Sequence, residues 1–127
     1  MATPATSTTT DSTITAEEVM LSYTFTAVNG RNYLLQYFEP VMVGSASTTI
    51  TARIRHTDIV GLVLQTFKSN VATTTNTIAS CQVVYTATAS GSLTIVATLT
   101  AASGTATATR SSTQFPQLYA IDIGTGY

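Results

Sequence analysis

The sequence predicts an all-β protein: a single antiparallel β-sandwich of about eight strands, jelly-roll-like, with an extended N-terminal arm. Only 9% of its 127 residues are charged, and threonine, which is β-branched and packs well on a pleated surface, fills the positions that Lys and Glu usually take. Segments of alternating apolar and polar residues are separated by turn signals at intervals of roughly 8–12 residues, which is typical of a sandwich or barrel.

The length indicates one domain, because a chain of this size buries roughly two-thirds of the surface that it exposes when unfolded. A disordered stalk is the alternative for a Thr-rich chain, but 44% of the residues are hydrophobic, and disorder requires low hydrophobicity. We therefore expect two regions: an extended Thr-rich arm over residues 1–18 and a β-sandwich domain over residues 19–127.

The arm begins with the low-complexity stretch "MATPATSTTTDST". In an isolated domain such a terminus would be loose, and we expect it to be ordered by lying against a neighbouring chain. Thr15 and Glu18 have the spacing of a capping box, so a short helical turn is an alternative for the end of the arm.

The first two predicted strands, residues 20–28 and 31–43, are joined at Asn29-Gly30, the strongest hairpin signal in the chain. Pro40 lacks a backbone donor, so the second of these strands bulges there or lies at a sheet edge. Further strands are predicted over residues 48–56, 62–68, 80–88, 93–101, 105–111 and 118–123.

Two of these segments carry specific expectations. The stretch "TATATR" offers only Ala and Thr to either face, so we expect it at an edge or between subunits. In the last strand, period two places Tyr119, Ile121 and Ile123 on the core face and Asp122 on the opposite face, at a surface or interface.

Several classes of function are disfavoured by composition. The net charge is −1 and the five Lys and Arg residues form no stripe, so we expect no nucleic-acid partner. The longest apolar run, residues 59–64, is too short to cross a bilayer, and the N-terminus lacks the features of a secretory signal. The single Cys81 cannot form an internal disulfide, which agrees with synthesis in a reducing cytosol.

Catalytic chemistry is poorly represented. His56 is followed by Asp58, and a hydrolytic Ser/His/Asp set remains an alternative, but there is no G-x-S-x-G motif. We expect His56 to end a strand on the inner face and Cys81 to be a buried, inert thiol. The adjacent Glu17 and Glu18 do not form a glycosidase pair. We therefore predict no catalytic, cofactor-binding or metal-binding residues, no cofactor and no enzyme activity.

The segment "NYLLQYFEP" is apolar on both faces, with Tyr33 and Tyr37 on one side and Phe38 on the other. Its strand should therefore be covered on both sides. The second cover is a loop, the arm or another subunit, and a central sandwich strand with ordinary cover is an equal alternative.

The segments "YTFTAVNGRNYLLQY", "ITARIRHTD", "VVYTATASGSLTIVATLTAASGTATATRSS" and "PQLYAIDIG" together resemble a β-sandwich domain of tailed-bacteriophage virion proteins, especially of phages that infect actinobacteria. The resemblance covers residues 19–124. Arg53 and Arg55 match a basic "R-I-R" strand, and residues 122–124 match a closing "D-I-G" motif. The family's pattern defines no catalytic residue.

The resemblance implies a structural virion protein. A capsid decoration protein suits a short domain with an arm: it would stabilise the head from the outer surface of the major capsid protein shell, as a homotrimer. It would be made in the host cytoplasm, with no nucleic-acid or membrane partner. A surface with so few charges also suits a protein that is covered by its neighbours. The alternative is a minor tail or fibre-associated domain that binds the host surface.

Overall fold

The computed structural model describes residues 3–73 and 75–125, so the first two residues of the expected arm and the last two of the expected domain lie outside it. The described chain contains ten strands and no helix. They are β1 (Ala5–Thr6), β2 (Asp11–Ile14), β3 (Glu18–Ala27), β4 (Arg31–Gly44), β5 (Thr48–His56), β6 (Val63–Val71), β7 (Thr77–Thr86), β8 (Gly91–Ala101), β9 (Ala106–Ala108) and β10 (Gln117–Thr125).

The strands form two antiparallel sheets. In sheet A, β4 pairs with β7 on one side and with β10 and then β9 on the other, while β1 pairs with β10 and β2 with β9. Sheet B has the order β3-β8-β5-β6. β1 and β2 act together as one interrupted strand, and so do β9 and β10, which reduces the ten strands to eight. The order β1-β10-β4-β7 in sheet A, opposite β3-β8-β5-β6 in sheet B, is that of an eight-stranded jelly roll. The predicted fold class is confirmed.

The core lies between the sheets and is made by alternate residues of both inner faces. Leu35 of β4 and Leu118 of β10 are fully buried in sheet A, as are Ile54 of β5 and Leu99 of β8 in sheet B. Burying a side chain of this size contributes about 1.5 to 3 kcal/mol, so core packing alone can account for a stable domain.

The N-terminal segment differs from the expected arm. Ala5–Thr6 and Asp11–Ile14 pair with strands of their own chain, and Ile14 is fully buried in the core. No helical turn forms at Thr15, because the chain enters β3 at Glu18. The apolar side chain of Ile14 explains the difference, since its burial in the core favours pairing within the chain over an arm laid against a neighbouring chain.

The "TATATR" segment also differs from its prediction. Its strand, β9, lies inside sheet A between β4 and β2 instead of at an edge. Ala106 lies opposite both Ile14 and Gly44, and both it and Ala108 are fully buried. Small side chains here make room for larger neighbours, so their small apolar area does not indicate an edge.

The faces of β10 are the reverse of the prediction. Leu118 and Ala120 are buried opposite Tyr37 and Leu35, whereas Ile123 is 48% exposed. Asp122 is on the inner face, but it lies where the sandwich opens, and it is itself exposed. The period-two pattern assigns the residues of β10 to two faces. Because both faces carry apolar residues, the pattern does not show which face is buried.

A buried ion pair joins the interrupted strands to the centre of sheet A. Arg110, just after β9, donates to both oxygens of Glu39 at 2.8 and 3.0 Å, and both side chains are almost completely buried. Tyr37 donates to the same carboxylate at 2.9 Å, and Arg110 also donates to the carbonyl of Thr9. Burial and the Glu39 carboxylate raise the pKa of Tyr37 well above its usual value. The cluster therefore ties β4, the end of β9 and the β1–β2 connection together.

We expect Arg110→Met to lower the free energy of unfolding by about 3 to 5 kcal/mol, because it leaves the Glu39 carboxylate buried without its cation. Urea unfolding measures the change. Arg31→Met is the matched control: Arg31 pairs with Asp122 at 2.8 Å, but both side chains are about 40% exposed, so its loss should cost less than about 1 kcal/mol. Equal effects of the two substitutions would contradict the role assigned to the buried pair.

Candidate functional site

His56 lies at the end of β5, as predicted, but no acid accompanies it. Its ring shares a hydrogen bond of 2.8 Å with the hydroxyl of Thr57, and it lies 6.2 Å from the ring of Tyr85. The Asp58 carboxylate accepts from the backbone N–H of Val60 at 3.0 Å. The cleft beside His56 is lined by residues 85, 87–93 and His56 itself, none of them acidic. This geometry gives the described residues no Ser/His/Asp arrangement at His56.

The basic strand predicted from the "R-I-R" pattern forms a charge cluster on the outer face of sheet B. Glu17 accepts from Arg55 at 2.6 and 2.8 Å and from Arg53 at 3.1 Å. The same carboxylate accepts from the hydroxyl of Thr98, which is fully buried beneath it. The hydrogen bond from Arg55 lowers the pKa of Glu17 to about 2, with further contributions from Thr98 and Arg53. The arginines are therefore engaged within the chain.

Glu18, the neighbour of Glu17, interacts with the carboxyl group of Asp11. A hydrogen bond with Asp11 of β2 raises the pKa of Glu18 to about 7, and burial and the negative charge of Asp11 act in the same direction. The same contact lowers the pKa of Asp11. Of the two carboxyl groups, Glu18 therefore keeps its proton to the higher pH.

Cys81 is fully buried on the inner face of β7, and its thiol lies 3.6 Å from the carbonyl oxygen of Gln65. Burial raises the pKa of this thiol to about 11, so little thiolate exists at neutral pH. The described residues contain no group of three His, Cys, Asp or Glu side chains placed to hold a metal ion.

The aromatic segment of β4 divides between the two faces of sheet A. Tyr33 and Tyr37 are buried on the inner face, and Tyr33 accepts from the backbone N–H of Val28 at 2.9 Å. Phe38 is half-buried on the outer face. No second layer of the described chain covers that outer face, so we take it as the candidate functional surface.

The outer face of sheet A consists of rows that cross β10, β4 and β7. The central row is Tyr119, Gln36 and Gln82: the Tyr119 hydroxyl donates to the Gln36 carbonyl oxygen at 2.6 Å, and the Gln36 amide donates to Gln82 at 2.8 Å. The flanking rows are Ile121, Leu34 and Val84 on one side and Gln117, Phe38 and Ser80 on the other.

These three rows contain no charged side chain. By contrast, the outer face of sheet B carries Arg53, Arg55 and the Glu17 that binds them. The uncharged rows were not identified from the sequence, because Gln36, Gln82 and Tyr119 are distant along the chain. Only the register of β4 with β7 and β10 brings them together.

Comparisons with known proteins identify no family. No family model matches the chain, and no curated protein matches it. A solved structure described as "CBM4 structure and function" has a TM-score of 0.45 and 11% sequence identity over 80% of this chain. The match spans 59% of the length of that structure's chain. Among the described residues, none belongs to a helix that is long and apolar enough to span a membrane.

The two neighbouring glutamates should affect stability in opposite directions with pH. The pKa of Glu18 rises from 4.5 to about 7 on folding. Its contribution to the free energy of unfolding is therefore full below pH 4.5 and is lost as the pH rises through 7. Glu18→Gln should remove this loss of stability. The pKa of Glu17 falls from 4.5 to about 2, so its contribution is present above pH 4.5 and lost as pH falls toward 2. Glu17→Gln should remove that acid-side loss.

Chemical unfolding at several pH values measures both effects. We expect each to amount to about 1 kcal/mol or less, because solvent screens these partly exposed groups. Unchanged pH dependence in either variant would contradict the corresponding contact.

The native Cys81 thiol should react with a thiol reagent at least a hundredfold more slowly than it does in urea, because it is buried and protonated. The absorbance of the released chromophore measures the rate. A Ser22→Cys variant, which places a thiol on the exposed outer face of β3, serves as the reactive control, and equal native rates would contradict the burial of Cys81.

Proposed function

We propose that this chain is a structural protein of a tailed-bacteriophage virion, and specifically a capsid decoration protein that binds the outer surface of the major capsid protein shell. It acts by contact and catalyses no reaction. The proposal rests on the sequence resemblance and on one observation, the uncharged outer face of sheet A. It includes self-association on the shell.

The chemistry of that face supports binding to a protein surface. Core positions of protein interfaces are depleted in charge and enriched in aromatic residues, and the rows of sheet A combine Tyr119 and Phe38 with aliphatic and amide side chains. The amides are already paired with one another, so covering them leaves few polar atoms without partners. A shell of repeated subunits adds avidity to each modest contact.

A minor tail or fibre-associated domain that binds host-surface glycans is the second candidate. The Tyr119–Gln36–Gln82 row favours it, because amide and phenol groups on an accessible face can bind sugar hydroxyls. Against it, Tyr23, Tyr33 and Tyr37 are buried, so they offer no stacking platform. Binding in a glycan array that is lost with Gln82→Ala would favour this candidate over decoration.

The decisive measurement is to label virions from the source of this sequence with an antibody against the chain and to count copies by electron microscopy. Hundreds of copies over the head are expected of a decoration protein. A few to tens of copies on the tail would favour the second candidate, and absence from the particle would overturn both.

Binding to shells stripped of the protein tests the surface itself. Gln36→Lys should reduce shell occupancy at least tenfold, because it places a charge at the centre of the uncharged rows, where the shell would desolvate it. Thr24→Lys, on the exposed outer face of β3 in sheet B, is the matched control and should bind normally. Thermal unfolding establishes that both variants are folded. Normal binding by folded Gln36→Lys would contradict this use of the face.

A further inference from the structure

We propose that the open side of the sandwich, formed by the free edges of β6 and β7, pairs with the same side of a second copy of this chain to form a two-fold dimer. The inference stands on the strand edges and the apolar side chains beside them, and it does not depend on attachment to a capsid.

Both sheets end on this side without a further strand. Within the described chain, β6 pairs only with β5, and β7 only with β4. The ten residues of β7, Thr77–Thr86, contain neither a charged residue nor a proline. Natural edge strands are usually protected by such residues, and a long unprotected edge is a template for pairing with another strand.

The large apolar side chains that are exposed concentrate on the same side. Val60 and Leu62, in the loop before β6, are 85% and 73% exposed, and Ile78 and Val84 of β7 are 63% and 55% exposed. Ile59, Val63 and Phe67 add to this group. The other exposed large apolar residues in the described chain are Val19, Val28 and Ile123.

Three contacts place β7 beside β6 and the end of β5, and we call this side of the sandwich the strip. The Cys81 thiol meets the Gln65 carbonyl at 3.6 Å, the His56 and Tyr85 rings are 6.2 Å apart, and Val71 and Thr77 line one cleft. β6 and β7 therefore run side by side in opposite directions, with the 57–62 loop at the Val84 end.

The loop is fixed by its own hydrogen bonds. The backbone N–H of His56 donates to Leu62 at 2.9 Å, that of Gly61 donates to Asp58 at 3.0 Å, and Arg55 donates to the Gly61 carbonyl at 2.9 Å. A Cβ on Gly61 would overlap the His56 carbonyl oxygen. The loop therefore presents Val60 and Leu62 in a set position, which lowers the entropy cost of burying them.

A second copy fits this strip because two antiparallel copies of one edge can exchange backbone hydrogen bonds about a two-fold axis. Because β7 carries no charge, no like charges meet where β7 pairs with its copy, and the one charged residue of the two edge strands is Lys68 on β6. Ten residues span about 33 Å and the two sheets with their side chains about 20 Å, which gives roughly 700 Å² per copy. A standard interface buries about 800 Å² per partner.

A head-to-tail trimer would instead set this strip against a different surface, of which the opposite side of the sandwich is one. There β2 and β3 carry Asp11 and Glu18, whose burial against an apolar strip would be costly. The two-fold arrangement avoids this cost, so it is favoured over the homotrimer that the resemblance implies.

Sedimentation of the full chain over a concentration series tests the proposal. We expect a dimer, and Val84→Lys should weaken its association at least tenfold, because the two-fold axis brings both new charges into one interface. Val19→Lys is the matched control: Val19 is 43% exposed on β3, at the opposite side, and its substitution should leave the dimer intact. Thermal unfolding checks each variant, and Ile78→Lys replaces Val84→Lys if the latter does not fold.

A wild-type chain that stays monomeric at millimolar concentration would overturn the proposal. So would a dimer that folded Val84→Lys and Ile78→Lys leave unchanged, equal loss of the dimer with Val19→Lys, or a trimer. Shell binding is measured in parallel on the wild-type chain, because Val84 also lies in a row of the candidate functional surface. A wild-type dimer that does not bind shells contradicts only the proposed function, and a wild-type monomer that binds them contradicts only the dimer.

Discussion

The buried pair between Arg110 and Glu39 is the interaction on which the arrangement of sheet A depends. Two of the strands in this sheet are interrupted, and neither β1 nor β9 is long enough to fix its own position. Arg110 bonds Glu39 in the centre of the sheet and Thr9 in the N-terminal segment. Because a buried charge without its partner is costly, any displacement of these segments is opposed by the free energy of exposing or separating the pair.

The arginine side chains near the surface are also paired within the chain. Glu17 engages Arg53 and Arg55 over sheet B, Asp122 engages Arg31 where the sandwich opens, and Glu39 engages Arg110 inside. The rows across the outer face of sheet A are left uncharged, and so is the edge of β7. The outer face of sheet A and the edge of β7 can therefore be covered without desolvating charged side chains. Both proposals rest on this distribution of charge.

Much of the fold could be predicted from local pattern, and the errors have specific causes. Alternation identified the strands of sheet B, because its signals lie within a few residues of one another. Asn29-Gly30 marks the turn between β3 and β4, but the hairpin that it predicted does not form, because the two strands lie in different sheets. The N-terminal segment was expected to lie against a neighbouring chain, whereas it pairs with strands of its own chain and buries Ile14 in the core. The edge position of "TATATR" was wrong because two buried alanines look the same in sequence as two exposed ones. The candidate surface was missed because its central row joins residues from three strands.

The sequence by itself determined that this chain forms a β-sandwich, since threonine content, alternation and turn residues act locally and all favour strands. It also determined that charges are too few to cover the surface. Only the tertiary structure decided which face of β10 is buried, which acid each arginine binds and which outer face is left uncharged. Those outcomes depend on the register between strands that are distant along the chain, and register is set by the packing of the whole core.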